Sequence, residues 1–203
     1  MKNIIVSSKI VKDKYSTKNI LYDNDILEMM NYLNLSFFPY LNSKFKITKN
    51  IKKADGLILL GGGDIYKYKK IKENKLRDEI EKKLFKTFFN SNKPILTICR
   101  GFQLISDLYN IKLFKIKGHV RTDHSLKIKN SRYINTKKLI VNSYHNYCVR
   151  KIPKNFIEVA RLNDGTIEIA EHKYKKILCL MFHPERKMKS KSLILKSLKS
   201  FFK

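Results

Sequence analysis

A cysteine stands where a strand-like segment runs into a helix-like segment, a position at which its thiol can act as a nucleophile. The segment 94–105 reads PILTICRGFQLI, and Cys99 lies at the junction of its apolar run and its helical pattern. At a helix N-terminus, the macrodipole and the free backbone N–H groups favour the reactive thiolate. We therefore predict a nucleophile elbow, in which Arg100 offers its N–H to an oxyanion and Gly101 allows close strand–helix approach. The alternative is a small buried cysteine that merely ends a core strand.

Two further segments hold residues that can complete such a site. Gly61, Gly62 and Gly63 follow an apolar run, and consecutive glycines let backbone N–H groups approach a ligand, although a glycine triplet alone is more often a tight turn. His183 and Glu185 follow another apolar run near the end of the chain. In an extended segment these two side chains point to the same side, so the carboxylate can orient the imidazole that accepts the thiol proton.

Strand-like and helix-like patterns alternate along the chain and predict the scaffold for these residues. The predicted strands are 4–6, 56–60, 95–98, 139–142, 156–161, 167–169 and 177–182, and the predicted helices are 25–33, 76–88 and 193–202. Unbroken apolar runs such as 57–60 indicate strands covered on both faces, as in parallel sheets. Residues 112–138 have a weaker pattern, from which we predict antiparallel strands and a loop. The sequence thus predicts one α/β domain, 1–203, with a central, mostly parallel sheet.

The composition narrows the function classes. Apolar runs stay well below the roughly 18 residues of a membrane span and the roughly 7–15 of a secretory signal, so we expect a cytoplasmic protein. Three cysteines at positions 99, 148 and 179 lack the paired spacing of zinc ligands or disulfides, so we expect no metal, and a packing role for Cys148 and Cys179. We expect much of the net charge of +27 to be solvated background and the remainder to favour an anionic substrate. Only 7 of the 44 basic residues are Arg, which argues against nucleic acid.

Four motifs, in this order, resemble those of the class I glutamine amidotransferase superfamily and, within it, the γ-glutamyl hydrolase branch. They are Gly61-Gly62, Cys99-Arg100-Gly101-Phe102-Gln103, Val141-Asn142-Ser143-Tyr144-His145 and His183-Pro184-Glu185. The resemblance implies a three-layer, flavodoxin-like fold and a thioester formed on Cys99, with His183 as base and then acid and Glu185 orienting it. It also implies an oxyanion hole at Gly62 and Arg100, and no cofactor. The substrate contacts that it implies are Gln103, Ser143, Tyr144 and His145.

Members of this superfamily either hydrolyse γ-glutamyl compounds or pass ammonia to a synthase. The chain has 203 residues and shows no synthase segment, so we favour hydrolysis. The chain resembles hydrolases that act on γ-glutamyl-CDP-amidate in capsule phosphoramidate synthesis, and the diphosphate of that substrate would suit a basic pocket. The alternatives are a glutaminase subunit with a partner synthase and a basic nucleic-acid-binding protein. A homo-oligomer is compatible with the sequence, and no membrane partner is expected.

Other polar residues give weaker signals. His119 and His124 lie in a polar segment near the expected site and are candidates for substrate contact. His172 follows a predicted strand beside a glutamate, and we expect it to be exposed. Arg77, Asp78 and Glu81 lie near the start of a predicted helix, and we expect them to form ion pairs within that helix.

Overall fold

The computed structural model describes residues 1–21, 23–40, 51 and 53–203, and a seven-stranded sheet forms the centre of this part of the chain. In chain order the strands are β1 (Lys2–Ser7), β2 (Lys9–Lys12), β3 (Thr17–Ile20), β4 (Leu35–Tyr40), β5 (Gly56–Leu59), β6 (Ile95–Ile98), β7 (Phe114–Lys115), β8 (Val120–Lys127), β9 (Lys138–Tyr144), β10 (Tyr147–Cys148), β11 (Phe156–Arg161), β12 (Ile167–His172) and β13 (Ile177–Leu180). The helices are α1 (Asp23–Leu33), α2 (Lys72–Asn90), α3 (Arg100–Leu108) and α4 (Lys191–Phe201).

The central sheet is mostly parallel, as predicted. Its strand order is β11-β12-β13-β6-β5-β1-β4, in which β13, β6, β5, β1 and β4 run parallel, and β12 and β11 form an antiparallel edge. The predicted strand 139–142 lies in β9, which pairs antiparallel with β8 outside this sheet. Two features were not predicted. β4 contains Pro39, which the ladder tolerates because β4 is an edge strand, and the β2–β3 hairpin is short and rich in lysine.

Helices cover both faces of the sheet and give the molecule three layers. The apolar residues of α1 and α4 share one core with Ile4 and Val6 of β1, whereas those of α2 and α3 share a second core with Ile5. This alternation along β1 is the period of two that places successive strand residues on opposite faces. Within the part of the chain that the structure describes, no helix is both long enough and apolar enough to cross a membrane.

The structure corrects one of the predictions made for single residues. His172 is buried, with 4% of its surface exposed, so the expectation that it is exposed was wrong. Its ring lies between those of Phe89 and Phe156, at centroid distances of 5.7 and 4.9 Å, and its Nδ1 accepts the backbone N–H of Tyr174. The chain turns back after β12 and covers the ring, and sequence spacing does not reveal such a turn. Burial lowers the pKa of His172.

The close approach of α3 to β5 requires a glycine. A Cβ on Gly101 would lie 2.5 Å from the carbonyl oxygen of Leu59 and 2.9 Å from its Cβ. Real side chains do not tolerate such distances, so the first turn of α3 can rest on the backbone of β5 only with glycine at this position. The role predicted for Gly101 from the sequence is confirmed.

We predict that Gly101→Ala lowers the free energy of unfolding by about 1–3 kcal/mol, because the added methyl group overpacks the contact between α3 and β5. Urea unfolding followed by circular dichroism would measure the change. Ser106→Ala, in the same helix, is the control: it removes a hydroxyl that bonds the Phe102 carbonyl within the helix and should cost about 1 kcal/mol at most. Equal effects of the two substitutions would contradict the prediction.

Candidate active site

Cys99 occupies a strained turn between β6 and α3. Its backbone has φ of 49° and ψ of −101°, in the left-handed half of conformational space that residues with a side chain seldom enter. Such a conformation costs of the order of 1–3 kcal/mol and persists only where the surroundings hold it. The Cys99 N–H donates to the carbonyl of Leu180 at 2.7 Å, and its carbonyl accepts the N–H of Gln103 at 3.1 Å. The thiol therefore sits at the N-terminus of α3, where the N–H of Arg100 has no carbonyl of its own helix to bond.

Residues 60–63 form a segment that we name the glycine loop. Its Gly61 lies against both Cys99 and the imidazole of His183. A Cβ on Gly61 would lie 2.5 Å from Cε1 of His183 and 3.3 Å from Cβ of Cys99. Gly62 and Gly63 follow with φ of 87° and 75°, which favour glycine. The loop after β5, the elbow after β6 and the segment after β13 thus meet at one point.

His183 and Glu185 form a close buried pair. Nδ1 of His183 lies 2.6 Å from Oε1 of Glu185, and both side chains are buried. Burial by itself lowers the pKa of His183, but Glu185 and Cys99 outweigh it and raise that pKa to about 10. Asn142 holds the backbone of His183 in place: its Oδ1 accepts the His183 N–H at 2.9 Å, and its Nδ2 donates to the His183 carbonyl at 2.9 Å.

Beneath the elbow lies a group of four buried charged residues, Arg77, Asp78, Glu81 and Arg100, which we name the charge network. The expected ion pair between Arg77 and Glu81 within one helix is present at 2.8 Å and is buried, whereas Asp78 pairs with Arg100 of another helix. The Arg100 guanidinium binds both Asp78 and Glu81, so the network joins α2 to α3. Burial raises the pKa of Asp78 and lowers that of Arg77 to about 10. For Glu81 the effect of burial is outweighed by Arg100 and Arg77, which lower its pKa.

Arg77 also fixes the glycine loop. Its guanidinium donates to the carbonyls of Leu60 at 2.9 Å, Gly61 at 3.1 Å and Gly62 at 2.6 Å. In a planar trans peptide the C=O and the following N–H point in opposite directions. Since the Gly61 carbonyl faces Arg77, the N–H of Gly62 points away from the guanidinium.

The residues predicted to contact the substrate lie in different environments. Gln103 is buried, and its Nε2 donates to the Tyr147 carbonyl at 2.9 Å. The hydroxyl of Ser143 already donates to the His119 carbonyl at 2.7 Å. Tyr144 is 36% exposed, and its ring lies edge-on to that of His183 at 5.8 Å. His145 is buried, with Nδ1 3.1 Å from the Tyr147 carbonyl. Their contacts with a substrate stay predictions.

Lys9 was not predicted from the sequence to lie at the site. Lys9 and Arg186 line a small cavity with His183 and Glu185. Lys9 also lines a cleft of about 500 Å³ beside Gly63. Lys9 reaches this place through the β2–β3 hairpin, which has no clear sequence signal. Asn142 lies in the motif that was predicted to contact the glutamyl group, and its bonds to the backbone of His183 were not predicted.

Comparisons with known proteins identify relatives of this chain. The profile of the family described as Peptidase C26 matches residues 34–185. The γ-glutamyl-CDP-amidate hydrolase of Campylobacter jejuni is 31% identical over 166 residues, which cover 82% of this chain and 76% of that protein.

Two solved structures share the fold. A proposed GMP synthase subunit from Thermoplasma acidophilum has a TM-score of 0.75 at 20% identity, over 100% of this chain and 94% of that one. A glutamine amidotransferase from Thermotoga maritima has a TM-score of 0.73 at 13% identity, over 98% and 96%. At these identities the likeness concerns the fold alone, and it confirms the three-layer α/β fold predicted from the sequence.

We predict that Glu81→Gln lowers the free energy of unfolding by about 3–5 kcal/mol, because it leaves two buried guanidinium groups with a single carboxylate. Urea unfolding would measure the loss. Glu79→Gln is the matched control, since Glu79 is exposed in the same helix and its substitution should stay within about 0.5 kcal/mol. A small effect at position 81 would mean that the charge network does not hold the loop.

We also predict a pH dependence of stability that originates at His183. Its folded pKa of about 10 exceeds the ordinary value of 6.5, so its stabilising effect is complete below 6.5 and is lost as the pH rises towards 10. Glu185→Gln removes the largest raising influence and should flatten this fall, measured by urea unfolding at a series of pH values. Glu73→Gln, in the first turn of α2, should leave the slope unchanged. An identical slope in wild type and Glu185→Gln would refute the assignment.

Proposed function

The chain belongs to the Peptidase C26 family, and from this premise we propose that residues 1–203 form a single domain that hydrolyses a γ-glutamyl amide bond through Cys99. The observation that carries the proposal is the placement of a thiol on a strained elbow, beside an imidazole that a buried carboxylate holds at 2.6 Å. A nucleophile, a base and an orienting group in this order are the parts that nucleophilic catalysis needs.

In the proposed reaction, Sγ of Cys99 attacks the γ-carbonyl carbon and His183 takes the thiol proton. Because the pKa of His183 is raised to about 10, the imidazole carries the thiol proton at neutral pH and can later give it to the leaving nitrogen. The N–H groups of Gly62 and Arg100 stabilise the oxyanion. His183 then gives its proton to the leaving nitrogen, the C–N bond breaks, and a thioester remains on Cys99. Water, deprotonated by His183, adds to the thioester carbonyl and releases L-glutamate and the free thiol.

We propose that Gln103 and the segment 143–145 bind the glutamyl group. Gln103 lies one helical turn after the nucleophile and is anchored to the Tyr147 carbonyl at 2.9 Å. Tyr144, at the edge of the imidazole of His183, closes one side of the site. Ser143 and His145 would act through their backbone, because their side chains bond within the protein.

For the leaving group we propose a nucleotide diphosphate, so that the substrate is γ-glutamyl-CDP-amidate and the product is cytidine diphosphoramidate, used to modify a capsule. Support comes from the relative of 31% identity and from the cleft of about 500 Å³ beside the glycine loop, a volume usual for small-molecule sites. Lys9, Lys12 and Lys69 line this cleft. Acidic residues also line it, and of these Asp13 is paired with Lys18 at 2.5 Å. Lys9 lines both this cleft and the cavity at His183, which suits contact with the phosphate nearest the scissile bond.

We predict that the protein releases glutamate from γ-glutamyl-CDP-amidate faster than from γ-glutamyl-GABA or glutamine, and that Cys99→Ala reduces the rate by at least about 1,000-fold. Lys9→Gln should raise KM for the nucleotide substrate about tenfold, because a charge-assisted contact is lost, and leave γ-glutamyl-GABA within about twofold. A coupled glutamate assay measures all of these rates.

Lys75→Gln, on the exposed face of α2, is the matched control for the loss of one positive charge. Release from glutamine alone would point to a glutaminase subunit that works with a synthase. If no glutamate were released from any of the three substrates, or if Cys99→Ala kept full activity, the proposed hydrolase function would be wrong.

A further inference from the structure

A second group of polar side chains lies beside the proposed active site and takes no part in its chemistry. His119 precedes β8, His145 follows β9, and Glu168 lies in β12, so three distant segments bring them together. One potential metal-ligand atom from each lies within 4.8 Å of the others. The three residues are at most 4% exposed. We name them the His–Glu cluster.

Both histidines of the cluster are oriented as metal ligands usually are. His119 places Nε2 2.7 Å from Oδ2 of Asp164, and His145 places Nδ1 3.1 Å from the Tyr147 carbonyl. An acceptor at one ring nitrogen fixes the proton there and leaves the other nitrogen with a free lone pair. The nitrogens left with a free lone pair are Nδ1 of His119 and Nε2 of His145. Both are buried without a hydrogen-bond partner among the described residues.

Glu168 lacks the partners that a buried carboxylate needs. Neither of its oxygens has a hydrogen bond within the described part of the chain, and the residue is fully buried. Oε1 lies 3.4 Å from Nε2 of His145, but the two atoms do not form a hydrogen bond. Two ligands at about 2.0–2.1 Å from a tetrahedral zinc ion lie roughly 3.3 Å apart, which matches this separation.

We propose that Nδ1 of His119, Nε2 of His145 and the carboxylate of Glu168 bind one divalent transition-metal ion, with Zn²⁺ as the preferred ion. Two imidazoles and one carboxylate suit zinc, whereas calcium and magnesium prefer oxygen ligands alone. The positive ion also compensates the buried charge of Glu168. The spacing of histidines and cysteines in the sequence gave no sign of this site, because each ligand comes from a different segment.

His124 could supply a fourth ligand after a change in its side-chain position, since its ring nitrogens are not among the atoms that lie within 4.8 Å of one another. Its ring centroid lies 4.4 Å from that of His119, and its Nε2 is also buried without a hydrogen-bond partner in the described structure. Four protein ligands would make the site structural and not catalytic.

The ion would stiffen the segment that the glutamyl group is proposed to contact. The Tyr147 carbonyl accepts from Gln103 at 2.9 Å and lies 3.1 Å from Nδ1 of His145, so one carbonyl links the His–Glu cluster to Gln103. The imidazole of His145 would then serve the ion and not the substrate.

The test is a titration of metal-free, full-length protein with Co²⁺ and Zn²⁺, followed by visible absorption for cobalt and by metal analysis after dialysis for zinc. We expect one ion per chain and cobalt bands typical of four-coordination, unchanged in Cys99→Ser, which excludes binding at the thiol. Glu168→Gln should bind less than about a tenth of an equivalent. Glu171→Gln, a buried carboxylate three residues along β12, should retain full binding.

Asp164→Asn provides a second variant in case Glu168→Gln fails to fold. Asp164 is 40% exposed, and its Oδ2 orients His119 while its Oδ1 accepts the N–H of Thr166, a bond that the amide oxygen of Asn can keep. It should weaken Zn²⁺ binding about 10- to 100-fold, as removal of an outer carboxylate does, while Asp123→Asn, of similar exposure, leaves affinity unchanged. No binding by the wild type would show that the cluster is only an ion pair of His145 and Glu168, and would overturn the proposal. Equal affinity in Asp164→Asn and wild type would do the same. The readout is metal and not activity, so the result is independent of the proposed hydrolysis.

Discussion

The charge network buries two guanidinium groups and two carboxylates together, and their pairing constrains the glycine loop and the turn at Cys99. An unpaired charge at such depth costs several kcal/mol, so the chain must adopt the one arrangement that pairs all four. Arg77 reaches that arrangement only with three carbonyls of the glycine loop around it, and Arg100 only with α3 beginning directly after Cys99. The strain at Cys99, of the order of 1–3 kcal/mol, is small beside the cost of breaking this pairing. The charge network therefore holds the turn at Cys99 in its strained conformation.

The sheet decides which loops the charge network can join. Parallel strands end at the same edge, and the order β13-β6-β5 sets three consecutive strand ends side by side. Gly61, Cys99 and His183 each follow one of these ends. Because the strands are fully buried, their register cannot slip without moving apolar residues between the two cores. The positions of the three strand ends thus derive from packing, and the charge network fixes the conformation of the glycine loop and of the turn at Cys99.

Local patterns were sufficient to predict the parts of the site that depend on neighbouring residues. The strand-to-helix junction predicted the turn at Cys99. His183 and Glu185 do form a pair, but they lie in the bend and turn after β13 and not in the extended segment from which the pair was predicted. Contacts between distant segments left no such pattern. Arg77 and Glu81 have the spacing of an ion pair within one helix. No local pattern indicates that Arg100, on another helix, also binds Glu81. For the same reason the His–Glu cluster could not be predicted from the sequence, since only the folded topology brings its residues together.

The segment between β9 and β10 links the proposed active site to the His–Glu cluster, and its contacts determine what each can influence. Asn142 holds the backbone of His183, whereas Ser143 bonds the backbone of His119. Adjacent strand residues point to opposite sides, so one stretch of chain serves both places. Yet the imidazole of His183 is fixed by Glu185 and not by this segment, while Gln103 depends on Tyr147, which His145 shares. Changes in the His–Glu cluster should therefore reach the binding of the glutamyl end before they reach the nucleophile.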